Sequence, residues 1–246
     1  VINAPFVDIN TSSCIKVDNP LDSSKKFLRT SLTGSLVNNL LYNEKRQKES
    51  IKLFEFSDVY YFDKKILKKR KLAIIASGRV GLNYKDFSLK INKKYMTNLF
   101  KKILPEEVFE FETISRENLD TKIKSEIVSL EIDVKKISDK VLKYSEISKP
   151  PLEFKVYEGI SELPLSYKDI SFSVKDYSKL GELENLILNY KDQILKNVFI
   201  FDYFKNEEKS EIKIGFRFTF QSQHETLNSN QIEKVLNNVI KKSLKI

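Results

Sequence analysis

Residues 197–221, NVFIFDYFKNEEKSEIKIGFRFTFQ, constrain the fold more than any other stretch. Two apolar-aromatic runs, residues 198–204 and 212–220, flank a charged KNEEKSE, and that spacing predicts a β-hairpin. Side chains alternate along a strand, so Phe216, Phe218 and Phe220 fall on one face and Arg217 and Thr219 on the other. One face must bury an aromatic row. The other is left polar, and its use is the functional question.

The neighbours of the hairpin extend the pattern. A strand is expected at residues 170–174 and a helix at 180–190, with Leu180, Leu183, Leu186, Ile187 and Tyr190 on one stripe. A last helix over 228–245 carries Ile232, Val235, Leu236, Val239, Ile240 and Leu244, and Asn228 with Gln231 makes a capping-box start. The order β-α-β-β-α is a ferredoxin-like split βαβ without its last strand. Pro150 and Pro151 can neither continue a helix nor pair inside a sheet, so the chain divides near them. A connecting strand at 154–157 follows.

The first part is mixed. Short strands are expected at 1–7 and 15–17, then a turn at Asp18-Asn19-Pro20. A helix follows, capped by Asp22, Ser23 or Ser24 and striped by Phe27, Leu28, Leu32, Leu36, Val37, Leu40 and Leu41. Residues 53–62 have aromatics on both faces and read as a central strand. Strands at 72–77, 109–114 and 126–132 and helices at 86–103 and 133–141 complete it.

Charge points to a polyanion. The chain holds 43 Lys and Arg against 34 Asp and Glu, net +9, and residues 64–102 hold 13 basic residues against one acid, Asp86. Such a block fits RNA, and it equally fits a solvated face. No apolar run approaches the roughly 18 residues of a membrane helix, and the first residues lack a signal peptide's basic start and apolar centre. The cytoplasm is the expected location, without membrane partners. The opening Val1 suggests a fragment or a processed product.

Catalytic constellations are sparse. One cysteine, Cys14, permits no internal disulfide or cysteine zinc cluster, and one histidine, His224, gives metal and triad chemistry little support. Gly78-Arg79-Val80-Gly81 lacks the glycines and following Lys-Ser/Thr of a phosphate loop. The acid pairs Glu106-Glu107 and Glu207-Glu208 are sequence neighbours whose side chains point apart. The expectation is no catalytic residue, no metal and no cofactor held by this chain. Hairpin aromatics such as Phe199, Phe201 and Tyr203 either pack under the helices or stack RNA bases.

Two sets of residues carry a family resemblance. Leu163-Pro164, Lys168-Asp169-Ile170, Phe201-Asp202-Tyr203, Phe216-Arg217-Phe218-Thr219-Phe220-Gln221 and Thr226-Leu227-Asn228 resemble the C-terminal anticodon-binding domain of phenylalanyl-tRNA synthetase. Val17-Asp18-Asn19-Pro20, Leu28-Arg29-Thr30-Ser31-Leu32, Gly34-Ser35-Leu36 and Leu53-Phe54-Glu55-Phe56 are similar to the catalytic-like module of the bacterial β subunit.

The resemblance implies an α+β chain: a class II synthetase-like antiparallel sheet module without catalytic residues, residues 1–160, then a ferredoxin-like anticodon-binding domain, residues 161–246. It implies an α-subunit partner in an α2β2 heterotetramer, with ATP and Mg2+ used by that subunit, and tRNA-Phe as the nucleic acid. Pro20, Arg29, Leu32 and Leu36 would lie at the subunit interface. Asp202 would read an anticodon base, and Arg217, Lys213, Lys168 and Pro164 would contact tRNA. Departures fall at Lys168 and Glu225, where the family has Arg, at Ile212-Lys213 in place of Lys-Ser, and at the missing last strand. A stand-alone RNA-binding module and a structural paralogue that binds no RNA remain as other readings.

Overall fold

In the computed structural model of this chain, the described residues are 1–8, 13–20, 22, 24–103, 109–137 and 159–246. The expected break at Pro150-Pro151, the strand at 154–157 and Glu106-Glu107 lie outside them. The chain forms two compact units, one of Val1–Gly78 and Lys90–Glu153, the other of Arg79–Leu89 and Phe154–Ile246.

The first unit begins with three two-residue strands, β1 (Phe6–Val7), β2 (Ile15–Lys16) and β3 (Phe27–Leu28), in the order β1-β3-β2. α1 (Thr33–Lys45) follows. Its start is later than the apolar spacing suggested, because Phe27 and Leu28 are spent on pairing both β1 and β2. The cap also differs. Asp22 accepts from the Ser24 amide at 2.8 Å in a surface turn. The amides of Leu32, the residue before α1, and Thr33, its first, donate instead to Glu131 Oε2 at 3.0 and 3.1 Å.

Next come β4 (Ser50–Asp63), β5 (Lys65–Gly78), α2 (Lys93–Ile103), β6 (Glu112–Ile114) and β7 (Ile127–Asp133), with all four strands antiparallel in the order β4-β5-β7-β6. Gly78 ends β5 opposite Ser50, at the open end of the long hairpin, with φ +91°, where a Cβ would stand 2.1 Å from the Glu49 carbonyl oxygen; only glycine fits. β4 lies at the edge of this sheet, not at its centre. Its aromatics occupy both faces because the face away from α1 is left open, with Phe54, Phe56 and Phe62 all exposed. On the other face Leu32, Leu36 and Leu40 of the α1 region pack on Ile51, Val59, Ala73, Ile75 and Ile127. The helix expected over 86–103 is confined to α2, because residues 79–89 form turns of the second unit. The helix expected after Asp133 is a single 3-10 turn, Val134–Lys136, whose start Asp133 caps and which Ile137 ends in extended backbone; residues 138–141 are outside those described.

The second unit carries β8 (Ser166–Val174), α3 (Leu180–Leu188), β9 (Leu195–Asn206), β10 (Glu211–Phe220) and α4 (Ser229–Ser243). The expected β-α-β-β-α order is present, and the sheet runs β8-β10-β9, antiparallel throughout. Ile214, Phe216, Phe218 and Phe220 are fully buried against Leu183 and Ile187 of α3 and Ile232, Val235 and Val239 of α4. That single cluster explains why the aromatic row repeats every second residue while both helices carry apolar stripes. The Asn228–Gln231 capping box forms as expected.

Candidate nucleic-acid interface

The face of the second sheet opposite its helices carries the polar alternates of the same strands. Arg217 pairs with Asp169 across β10 and β8, and its Nε and Nη2 donate to the two carboxylate oxygens, both at 2.8 Å. Such two-pronged pairs fix a guanidinium strongly. A β-bulge between Gly215 and Phe216 leaves Phe201 as an extra residue on β9. Gly215 makes room for it: a Cβ there would meet Phe201 Cε1 at 2.9 Å and Asp202 Cβ at 3.2 Å. Phe201 and Asp202 therefore both lie over Gly215.

The segment Arg79–Leu89 of the same unit occupies this face. The Phe87 ring is only 7% exposed, with its centroid 5.5 Å from that of Phe199 and 5.9 Å from that of Phe201. The Arg79 guanidinium carbon sits 3.9 Å from the Phe87 centroid and that of Arg217 sits 4.8 Å from it. Arg79 Nη1 donates to the Phe87 carbonyl at 2.6 Å, and Tyr84 meets Tyr203 at 5.2 Å between centroids. Each cation–π contact is worth about 0.5–2 kcal/mol, and each aromatic pair about 0.5–1.5 kcal/mol beyond burial.

The expected tRNA-contacting residues are not gathered on one surface. Asp202 is exposed, and its carboxylate has no hydrogen-bond partner among the described residues. Lys213 is also exposed, 3.9 Å from Glu211, on the Arg217 side of β10. Lys168 pairs with Phe218, so it belongs to the helix-packed face and points away from Arg217 and Lys213. Pro164 is exposed just before β8. Arg217, expected to be open to phosphate or base, is held by Asp169 with its side chain 17% exposed. Sequence reasoning missed Arg79, Phe87 and Asp169 as parts of this face.

In the first unit, three of the four interface candidates are core residues. Arg29, Leu32 and Leu36 are 1%, 0% and 1% exposed, covered by this chain alone, and only Pro20 is at the surface. Arg29 Nη1 lies 2.9 Å from Glu55 Oε1 without a well-directed hydrogen bond, and Nη2 donates to Ser57 Oγ at 2.8 Å. The basic block is likewise divided: Arg79 and Lys85 belong to the second unit, the rest to the first. In the hairpin, Lys68 and Arg70 both pair with Asp58 at 2.9 Å, and the Arg70 bond, then the Lys68 bond, holds that carboxyl well below the usual carboxylate range.

Two family models match the chain. One, described as the phenylalanyl tRNA synthetase beta chain CLM domain, matches residues 5–129; the other, a ferredoxin-fold anticodon binding domain, matches residues 161–245. Among curated proteins, the phenylalanine–tRNA ligase beta subunit of Mycoplasma capricolum subsp. capricolum is 31% identical over 101 residues, 41% of this chain. That of Mycoplasma mycoides subsp. mycoides SC is 30% identical over 96 residues, 37% of this chain. The matched stretch spans 12% of the length of either relative. Among the described residues no helix is long and apolar enough to cross a membrane.

Proposed function

Because the chain belongs to the phenylalanyl-tRNA synthetase β-chain family, we propose that it works as the C-terminal portion of such a β chain. It would support an α subunit through its first unit and bind the anticodon region of tRNA-Phe through its second. One observation carries the reading. A β-chain match over residues 5–129 is followed in the same chain by an anticodon-binding match over 161–245, and that second stretch folds as β-α-β-β-α. The first unit's four-stranded antiparallel sheet with α1 against it suits a class II synthetase-like module that lacks catalytic residues. ATP and Mg2+ would be handled by the α subunit, and this chain's contribution would be positioning.

Asp202 is the residue proposed to read a base. Its exposed, unengaged carboxylate can accept hydrogen bonds from a guanine Watson–Crick edge. Lys213 and Pro164 would border the same RNA. Lys168 would do so only if the RNA also reached the other side of the sheet. With Arg29, Leu32 and Leu36 in the core, an α subunit would have to dock on exposed surface such as that around Pro20.

Co-expression with a phenylalanyl-tRNA synthetase α subunit tests the assembly: the two chains co-elute, and elution of this chain alone overturns the subunit role. Binding of tRNA-Phe at fixed low salt tests the second unit. Asp202→Ala is expected to weaken it by about 1–3 kcal/mol, and no detectable binding by the parent chain overturns the RNA-binding role.

A further inference from the structure

The open face of the second sheet has the parts of a base-stacking site, and they are already in use. Phe199 and Phe201 offer ring surface, and the Arg217 guanidinium, fixed by Asp169, lies 5.4 Å from the Phe201 centroid. Phe87 fills the space between these groups and is nearly covered. Beside Phe201 stands Asp202, sharing the surface over Gly215. A phenyl ring satisfies the stacking and cation–π requirements of the slot but has no N–H to donate to that carboxylate. A nucleobase has both a π face and edge donors.

We propose that the Phe199–Phe201–Arg217 slot receives one unpaired RNA base, with Asp202 accepting from its edge, and that Phe87 of the Arg79–Leu89 segment is the intramolecular competitor which must leave first. This rests on the RNA-binding reading above and adds the site and its occupancy. The segment is built to hold a turn. Val80 N donates to the Leu89 carbonyl at 2.9 Å, the Asp86 and Phe87 amides donate to the Asn83 carbonyl at 3.0 and 2.7 Å, and Arg79 clamps the Phe87 carbonyl. A competitor of this kind lowers apparent RNA affinity by the fraction of time that the slot is open.

The probe is a short RNA hairpin with an unpaired loop, compared with the same stem lacking unpaired bases, against the whole chain. Phe87→Ala is expected to tighten loop-hairpin binding about threefold to tenfold and to leave the stem control unchanged. Adding Phe199→Ala to it should remove the gain. Hydrogen exchange on the unmutated chain needs no substitution: saturating loop hairpin should speed amide exchange across residues 79–89. Unchanged protection of that segment in the RNA-bound chain overturns the proposal, as does a folded Phe87→Ala variant with equal or weaker hairpin affinity. If the parent binds tRNA and either of those results appears, only this inference falls. If neither chain binds any RNA at low salt, the RNA-binding role falls with it.

Discussion

A single methyl group added at residue 215 has no free volume, since it would press on Phe201 Cε1 at 2.9 Å and Cζ at 3.0 Å. Gly215→Ala should therefore push the Phe201 ring outward and destabilise the second unit by about 1–3 kcal/mol, read as a lower urea midpoint. Glu131 is a second single-residue device. Burial pushes its carboxyl up, but hydrogen bonds from Lys71, Ser31 and Thr33 outweigh this and hold it below its ordinary value of 4.5. For Lys71, burial pulls the ammonium down, and the bond to Glu131 at 2.6 Å, the bond to Tyr61 and the charges of both partners together more than restore it, above 10.5. A depressed carboxyl stabilises the fold above pH 4.5 and loses that contribution as pH falls through its folded value. A raised ammonium stabilises below pH 10.5 and loses it as pH rises through its own. Glu131→Gln should cost about 1–3 kcal/mol near neutrality and flatten the acid limb of stability measured by urea melts across pH.

Among the elements, α4 and β10 show how closely sequence and structure agree when pattern and packing coincide. Asn228 Oδ1 accepts from the Gln231 amide at 3.0 Å while the Asn228 amide donates to Gln231 Oε1 at 2.9 Å. Asn228→Ala is expected to cost about 1 kcal/mol, visible in thermal melts. Phe218→Ala, at 0% exposure in the sheet–helix core, should cost about 3–5 kcal/mol. Both elements were legible because cap spacing and strand alternation are local signals. α1 was misjudged at its start because Phe27 and Leu28 sit on the helical stripe yet pair as strand, and because its cap comes from Glu131, about a hundred residues on. The role of Phe87 was invisible for the same reason: nothing near it in sequence announces Phe199 or Arg217. Asp202 and Lys213 came into view only through the family resemblance, and their exposure, the opposite facing of Lys168 and the commitment of Arg217 to Asp169 needed the register.

At the scale of the molecule, net +9 is spread over two units, with some of its strongest cations already paired, as in Asp58 with Lys68 and Arg70. Binding of tRNA should still weaken linearly in log salt, and Lys213→Ala should reduce that slope by about 0.7–0.9. A slope unchanged by Lys213→Ala would place the residue off the phosphate path. The first unit offers a contrast. Its open β4–β5 face exposes Phe54, Phe56, Phe62 and Ile66, a surface that single-residue charge changes would leave apolar.

The discontinuity of the second unit also has a consequence in time. Phe87 is made long before the strands that shelter it, for Arg217 lies 130 positions later in the chain. At about 5–20 residues per second, a ribosome would release the aromatic turn roughly 6–26 s before its sheet exists. During that interval Phe87 travels uncovered, fit for a chaperone to hold. Nascent chains arrested before β10 should stay cleavable by chymotrypsin at Phe87, and chains that carry the whole of the second unit should not.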